Sequence, residues 1–162
     1  MKKTITSLLF LLSMTAIGQS AAFIQQIEGF RPSVYLDSTG RRTIGYGFTS
    51  ARLVGRERIT ETEATAELKR ICNRITARLR RELGNGNRLT AQEESAVVSF
   101  IYNVGWYRFQ KSTMCRLLKA GKRGDIVARE FTKWVYVTKN GRKVFCGGLH
   151  KRRQRERRMF MG

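Results

Sequence analysis

The 162-residue chain has one histidine, one proline and three cysteines, and it is poor in acidic residues. A single histidine without a cysteine cluster gives little support to a zinc site or to a hydrolase built on a Ser-His or Cys-His pair. The odd number of cysteines leaves at least one thiol unpaired within the chain, and the sequence does not choose among the pairings of Cys72, Cys115 and Cys146. We therefore expect no metal ion and no cofactor.

The charge balance favours a polyanionic partner. Thirty-two Lys and Arg stand against twelve Asp and Glu, which gives a formal net charge of +20. Such a field attracts nucleic acid, anionic lipid or the anionic polymers of a bacterial envelope, and composition does not rank these three. The length and the 41% content of hydrophobic residues are typical of one soluble globular domain.

Residues 1–22 follow the three-part plan of an export signal. A basic start precedes the mostly apolar run TITSLLFLLSMTAIG, and the small residues before Phe23 suit a signal peptidase. The run is shorter than the roughly 20 residues of a membrane-spanning helix, and its Thr, Ser and Gly residues weaken it as an anchor. We expect export to the periplasm, with residues 1–22 as signal or anchor and residues 23–162 as the functional domain.

The first part of that domain predicts a helix followed by a hairpin. The segment Ser20–Glu28 is helical in pattern, and Gly29 is well placed to end it. Two short strands then flank the polar turn Asp37–Gly40, which is typical of a β-hairpin. Residues 49–59 are basic and mixed, and we expect them to be irregular or a third short strand.

The rest of the chain is predicted to be helical. The capping boxes Thr60–Glu63 and Thr90–Glu93 open two helices, and the first has apolar residues at helical spacing over more than twenty positions. Further helices are expected from Ser112, from Asp125 and over GGLHKRRQRERRMF. The prediction is an α+β fold in which a long helix joins a small N-terminal hairpin lobe to a larger helical lobe, with a ligand cleft between the lobes.

The stretch EGFRPSVYLDSTGRRTIGYGF holds the candidate catalytic residues Glu28, Asp37 and Thr43. Cleaving a glycosidic bond by inversion needs an acid for the leaving oxygen and a group that holds water on the opposite face of the sugar. A purely structural interpretation also fits, because Asp opens type I turns and Thr suits strands. Glu28 fits it least well, since a carboxylate in the last turn opposes the helix dipole. Spacing alone leaves both interpretations open.

This stretch resembles the active-site segment of the phage-type lysozymes, glycoside hydrolase family 24. The family pattern of Glu, eight residues, Asp or Cys, five residues and Thr is matched by Glu28, Asp37 and Thr43. Similarity continues through LTAQEESAVVSFIYNVGWYRFQKST, EFTKW and GGLHKRRQRER, so that it covers residues 22–160. The resemblance implies a lysozyme-like fold and a monomeric muramidase that hydrolyses the β-1,4 bond between N-acetylmuramic acid and N-acetylglucosamine in peptidoglycan, causing host cell lysis.

The resemblance also implies roles for single residues. Glu28 corresponds to the general acid, Asp37 to the carboxylate that positions water or stabilises the sugar cation, and Thr43 to the third member of the triad. Tyr102 and Asn103 match positions that line the cleft opposite the hairpin and are candidate substrate contacts, although a helix-end aromatic and a C-terminal cap would explain them equally well. Phe48 stands where many relatives carry a histidine in a structural ion pair, so that pair is absent here.

Some endolysins are exported by an uncleaved signal-arrest-release segment, a weak anchor that later leaves the membrane. Residues 1–22 resemble such a segment in their polar composition. The resemblance implies transient association with the inner membrane before the enzyme acts in the periplasm. We favour this uncleaved anchor over a cleaved signal.

Two other functions stay open at this point. A lytic transglycosylase also uses one glutamate but needs no water-holding Asp. A non-enzymatic binder of nucleic acid or anionic membrane is suggested by the net charge and by a C-terminal basic cluster, although the absence of a base-reading motif argues against a specific nucleic acid. The C-terminal helix is also a candidate for accessory contact with anionic lipid or lipopolysaccharide. The cluster comprises Lys139, Arg142, Lys143, Lys151, Arg152, Arg153, Arg155, Arg157 and Arg158.

Overall fold

The computed structural model describes residues 18–37 and 39–162, so the expectations for residues 1–17 lie outside the described residues. Within this range the chain is mainly helical with two small antiparallel sheets, as the α+β prediction requires. Among the described helices, none has the length and apolarity needed to cross a bilayer. The elements in chain order are α1 (18–28), β1 (Arg31–Leu36), β2 (Arg42–Gly45), α2 (Ala51–Val54), α3 (Glu61–Leu83), α4 (Ala91–Val104), α5 (Trp106–Gln110), α6 (Thr113–Lys119), α7 (Asp125–Phe131), β3 (Tyr136–Lys139), β4 (Arg142–Phe145) and α8 (Gly147–Met161).

The predicted N-terminal hairpin is confirmed. Helix α1 ends before Gly29, whose φ of +68° lies in the left-handed region that favours glycine. Strands β1 and β2 pair antiparallel, with Tyr35 opposite Thr43. Residues 49–59 contain the short helix α2 and a single β-bridge between Ser33 and Arg58, so the third strand is reduced to one bridging residue.

Both capping boxes form as predicted, and they fix the two main helices. Thr60 and Glu63 exchange their side-chain bonds at the start of α3, and Thr90 and Glu93 do so at the start of α4. Helix α4 runs through the middle of the core, because residues 94–101 are all buried. The ring of Phe100 packs edge-on against Phe131 at 5.5 Å between centroids. Helix α8 packs along α4 and α7.

Three local features differ from the sequence predictions. The β3–β4 hairpin was not predicted, although its turn is Asn140-Gly141 with both φ angles positive (+49° and +73°), and Asn-Gly is a strong hairpin signal. The short helix α5 was not predicted either. Helix α7 begins after Gly124, so Asp125 lies in its first turn and is not its cap.

The cysteines are free thiols. Cys72 and Cys115 are buried and Cys146 is half-buried. Cys72 lies in the core, as its position on the apolar face of the predicted helix indicates, and burial raises the pKa of its thiol to about 12. Cys72 therefore stays protonated at neutral pH and acts as a small apolar side chain.

Helix α8 is present as predicted, but its inner face is different from the prediction. Leu149, Met159 and Phe160 were expected to supply its apolar contacts, and of these Phe160 is fully in the core. The helix also buries Arg152 and Arg153, together with Glu156. The interpretation of these two arginines as part of an exposed basic cluster is therefore wrong.

The buried charges of α8 pair with one another, with two cations around one carboxylate. Glu156 lies 3.0 Å from Nε of Arg152 and 2.8 Å from Nη1 of Arg153, and it accepts a 2.8 Å hydrogen bond from the hydroxyl of Ser99. The guanidinium of Arg153 also stacks over the ring of Phe100 at 5.0 Å. Burial lowers the pKa of Arg153 to about 10, so the side chain is still a cation at neutral pH. We call Arg152, Arg153, Glu156 and Ser99 the α8 charge cluster.

Removing the one carboxylate inside this cluster should destabilise the protein strongly. Glu156→Gln leaves two buried guanidinium groups short of negative charge, and losing one partner of a buried ion pair costs about 3–5 kcal/mol. Urea unfolding followed by circular dichroism measures the loss. The matched control is Arg129→Gln, which breaks the exposed ion pair with Asp125 and should cost no more than about 1 kcal/mol. Equal losses of unfolding free energy in the two variants would contradict the conclusion that the α8 charge cluster stabilises the fold.

Candidate active site

Glu28 lies at the last position of α1, where the chain turns at Gly29 towards the hairpin. Its side chain is 24% exposed, so the carboxylate is reachable from solvent but largely enclosed by protein. Oε1 of this carboxylate accepts a hydrogen bond from Nη1 of Arg152 in α8. The candidate acid from the start of the chain is therefore paired with a cation from near its end.

Arg152 is held in place by the other members of the α8 charge cluster. Its Nε reaches Glu156, and its Nη2 donates to the backbone carbonyl of Ser99 at 3.2 Å. Burial by itself lowers the pKa of Arg152, but the carboxylates of Glu28 and Glu156 outweigh burial and raise it above the ordinary value. The guanidinium is thus a permanent, rigidly oriented cation beside Glu28.

Arg152 was not predicted as a site residue. The spacing of Arg152 and Arg153 to Glu156 along one helix could have indicated ion pairs within α8, since positions three and four apart are neighbours on a helix. No local pattern could have indicated the contact with Glu28, which depends on the packing of α8 against α4 and α1.

Gly47 brings the hairpin backbone up to the carboxylate of Glu28. A Cβ atom built on Gly47 would lie 3.5 Å from Oε2 of Glu28 and 3.8 Å from the hydroxyl oxygen of Tyr102. Its φ is +91°, a conformation that side chains other than glycine rarely adopt. The second glycine of the GYG sequence is therefore needed for the backbone conformation of the turn, while a Cβ atom there would be in ordinary van der Waals contact with Glu28.

The two candidate substrate contacts, Tyr102 and Asn103, lie near this point in the last turn of α4. Tyr102 donates its hydroxyl hydrogen to the carbonyl oxygen of Tyr46 at 2.7 Å, and burial, followed by the nearby charge of Glu28, raises the pKa of Tyr102. Asn103 is exposed, and its Oδ1 accepts a hydrogen bond from Arg153. Gly105 caps α4, so the interpretation of Asn103 as the C-terminal cap is wrong. A role of either side chain in binding sugar stays a prediction.

Asp37 has a tightly bonded carboxylate at the tip of the N-terminal hairpin. Its Oδ1 accepts hydrogen bonds from the hydroxyl of Thr39 at 2.7 Å, the backbone N–H of Thr39 at 2.8 Å and the backbone N–H of Arg41 at 3.0 Å. The Thr39 hydroxyl, followed by the two backbone groups, lowers the pKa of Asp37 below its usual range. The same bonds form the turn, so the structural role expected for Asp37 is present.

Thr43 is buried on β2, opposite Tyr35 of β1. Its hydroxyl donates a hydrogen bond to the backbone carbonyl of Arg41 at 3.0 Å. The described hydrogen bonds of both Asp37 and Thr43 thus remain within the hairpin, and no described contact joins either residue to Glu28. Burial raises the pKa of Tyr35, and the charges of Glu28 and Asp37 both add to this rise while Arg31 opposes it.

Phe48 fills the position where the resemblance led us to expect histidine in many relatives. Its ring is buried, and it packs edge-on to Tyr46 at 6.4 Å between centroids. A Cβ atom on Gly45 would meet this ring at 2.8 Å, so the first glycine of GYG makes room for Phe48. An aromatic contact closes this turn, and Ile44 and Phe48 exchange backbone hydrogen bonds of 2.9 and 2.8 Å.

The groups that meet at Glu28 suit proton transfer. In the described part of the chain, no cluster of His, Cys, Asp or Glu side chains could hold a metal ion. An open surface cavity also runs along β1, and the residues that line it do not include Glu28 or Asp37. The site therefore offers one enclosed carboxyl group with a fixed cation, and a second carboxylate that is held ionised on the hairpin.

Comparisons with known proteins point to one family. The family model for phage lysozyme matches residues 25–156. The endolysin of Acyrthosiphon pisum secondary endosymbiont phage 1 is 34% identical over 137 residues, covering 85% of this chain and 91% of that protein. A SAR-endolysin of Bacteriophage PS119 is 31% identical over 135 residues, covering 81% of this chain and 74% of the relative.

The solved structures give the same result for the fold. The muramidase domain of SpmX from Asticaccaulis excentricus superposes with a TM-score of 0.75 and is 28% identical, covering 88% of this chain and 95% of that domain. The lysozyme-like architecture expected from the sequence is therefore confirmed. The chain belongs to the phage lysozyme family of glycoside hydrolases.

Proposed function

We propose that the protein is an endolysin that hydrolyses the β-1,4 bond between N-acetylmuramic acid and N-acetylglucosamine in peptidoglycan and so lyses the bacterial host cell. The observation that carries the proposal is the enclosed carboxyl group of Glu28, paired with the buried cation Arg152 and approached by the backbone of Gly47. Membership of the phage lysozyme family supports the same class of reaction. The enzyme acts as a monomer and needs no cofactor.

Glu28 is the general acid in this proposal. Its carboxyl group donates a proton to the glycosidic oxygen while the bond between that oxygen and the anomeric carbon breaks. The carboxylate that remains is stabilised by the guanidinium of Arg152, which is already in contact with it. Arg152 is therefore a positioning residue that orients the acid and stabilises its ionised product.

Asp37 and Thr43 act on the opposite side of the sugar. Asp37 carries negative charge over a wide pH range, because its hydrogen bonds lower its pKa. It stabilises the positive charge that develops at the anomeric carbon and takes the proton of the attacking water. The hydroxyl of Thr43 donates to Arg41, so its oxygen serves the water as a hydrogen-bond acceptor.

Tyr102 and Asn103 each have one hydrogen-bonding group available for sugar, because another group of each side chain is already bonded within the protein. The hydroxyl of Tyr102 already donates to Tyr46, so its oxygen can only accept from a sugar hydroxyl. Asn103 uses its carbonyl oxygen for Arg153, so its amide nitrogen is the group that can donate to a sugar.

We also propose that residues 1–22 stay attached and first tether the chain to the inner membrane, before residues 23–162 act in the periplasm. Ser20 and Ala21 support this proposal, because both are buried and the hydroxyl of Ser20 bonds to that of Ser95 in α4 at 3.1 Å. A cut after Ala22 would remove both residues from α1, the helix that carries Glu28. The similarity to a SAR-endolysin is consistent with such a tether.

The first test is Glu28→Gln. Glutamine keeps the volume and a hydrogen-bond acceptor for Arg152 but cannot supply the proton, so lysis should fall by about 10²–10⁴-fold. The measurement is the clearing rate of cells stripped of their outer membrane. Glu82→Gln, which alters the surface pair with Lys119 and a 3.4 Å hydrogen bond from Gln110, is the control and should lyse like the wild type. Unchanged lysis by Glu28→Gln would refute the proposal.

Mass spectrometry of wild-type products should show hydrated reducing ends, since anhydro-muramic ends would indicate a transglycosylase.

The second test concerns the charge of Asp37. Thr39→Val keeps the shape of the side chain but removes the hydroxyl that most lowers the pKa of Asp37. The rate depends on ionised Asp37 and falls as pH drops through its pKa, so the variant should lose activity at a higher pH than the wild type does. The pH profile of kcat/KM measures this shift. An acid limb that does not move would show that Asp37 is not needed in its ionised form.

The third test is the N-terminus of the protein recovered from the periplasm. Intact mass and N-terminal sequencing should show a chain that retains residues 1–22. A purified chain that starts at Phe23 should have a lower melting temperature than the full chain, because it has lost the Ser20–Ser95 hydrogen bond and the buried Ala21. Recovery of the Phe23 form as the lytic species would refute the tether.

A further inference from the structure

The β3–β4 hairpin exposes large apolar side chains next to one another. Tyr136 is 57% exposed, Phe145 55% and Val144 41%, and all three lie on two paired strands. Apolar residues scattered singly over a surface are ordinary, whereas a contiguous patch marks an interaction site. The exposed apolar residues of this hairpin therefore require an explanation.

The aromatic residues of the hairpin form an ordered group. Tyr136 and Phe145 are cross-strand partners, with ring centroids 6.2 Å apart in an edge-on arrangement. Phe145 also contacts the ring of His150 in α8 at 5.6 Å. The base of the hairpin is tied to the body by the 2.8 Å bond from the N–H of Cys146 to the carbonyl of Val135. The exposed rings are thus held at a fixed place on the surface.

The same hairpin carries positive charge that is not neutralised. Lys139 and Arg142 face each other beside the turn, and Lys143 follows. The sequence contains no Asp or Glu between Glu130 and Glu156. Among residues 18–37 and 39–162, no carboxylate lies within ion-pair distance of these three cations, in contrast to the arginines of α8 that pair with Glu28 and Glu156. We call Tyr136, Lys139, Arg142, Lys143, Val144 and Phe145 the hairpin patch.

The alternation of side chains divides the patch between the two faces of the ribbon, with Lys139, Arg142 and Val144 on the face opposite the rings. Tyr136, Lys143 and Phe145 share one face of the two-stranded ribbon, because cross-strand partners lie on the same face and residues two apart do so as well. Aromatic rings and cations together match the boundary of an anionic bilayer, where the rings enter the headgroup region and the cations meet phosphate. A purely hydrophilic anionic polymer would make no use of the rings.

We propose that the hairpin patch docks the folded protein onto the surface of an anionic phospholipid bilayer. The charge complementarity of the patch selects anionic over neutral lipid, and its rings add contact with the acyl boundary. This places lipid contact on the hairpin, whereas the sequence suggested the C-terminal helix, whose Arg152 and Arg153 are buried and face inwards. The activity is separate from hydrolysis, because no residue of the patch touches Glu28, Asp37 or Thr43 in the described contacts.

The test uses the full chain and two kinds of vesicle, one of phosphatidylglycerol and one of phosphatidylcholine, in cosedimentation at low and high salt. One variant removes three cations by Lys139→Gln, Arg142→Gln and Lys143→Gln. A second removes the rings by Tyr136→Ser and Phe145→Ser. All proteins keep residues 1–22, so any contribution of that segment is common to them and cancels in the comparison.

Matched controls separate the patch from the overall charge. Lys69→Gln, Arg74→Gln and Arg81→Gln remove the same charge from the exposed side of α3, and Tyr107→Ser removes an aromatic ring that is 67% exposed elsewhere. Hydrolysis of soluble peptidoglycan fragments is measured for every variant. Wild-type rates there show that the fold is intact, and they keep failure of the docking proposal distinct from failure of the proposed function.

We expect the wild type to prefer phosphatidylglycerol vesicles and the three-cation variant to lose at least about tenfold in that affinity, as basic residues near an anionic surface contribute strongly. The ring variant should bind more weakly and lose nearly all remaining binding at high salt. The controls should stay within about twofold of the wild type, as exposed charges far from the contact are largely screened. Equal losses in patch and control variants, or binding to peptidoglycan sacculi without binding to vesicles, would overturn the proposal.

Discussion

The pairing of Glu28 with Arg152 is the interaction on which the rest of this structure depends. It puts a carboxylate from α1 and a guanidinium from α8 in contact inside a largely enclosed space, and Glu156 and Ser99 complete the coordination of the arginine. Burying such charges is costly unless every partner is present. The helices α1, α4 and α8 are therefore constrained together, since each supplies a group that the others need.

This constraint explains why the protein can place an acid at the end of a helix. The dipole of α1 disfavours a carboxylate at its last residue, but a fixed cation nearby more than offsets a cost of about 1 kcal/mol or less. The N-terminal hairpin positions the second carboxylate, that of Asp37, with hydrogen bonds between residues close in sequence. The hydrogen bonds from Thr39 and Arg41 shape the turn and hold the charge of Asp37 at the same time. Turn formation and chemistry are compatible because the hydrogen bonds that shape the turn also favour the ionised carboxylate.

The parts of the fold that were predicted correctly have local signals. Capping boxes at Thr60 and Thr90 fix the starts of α3 and α4, and Gly29 marks the end of α1, because these effects act within a few residues. The inner face of α8 could not be predicted in full, since its arginines pair within the helix with Glu156 but also with Glu28 in α1 and Ser99 in α4. The Asn140-Gly141 hairpin did have a local signal, but the basic residues around it suggested only a charged surface. Similarly, sequence spacing indicated Glu28 and Asp37 as candidate catalytic residues, but it did not indicate that Arg152 contacts Glu28.

The distance along the chain between Glu28 and Arg152 has a consequence for synthesis. Residues 28 and 152 are 124 positions apart, so the contact is among the most non-local described for the protein. Non-local contacts form late, because the intervening chain must first be ordered. Until Arg152 has left the ribosome, the acid has no cation to orient it. The surroundings of the acid are therefore complete only once residue 152 is available, and a nascent chain that stops before it carries the hairpin and the acid without their cation.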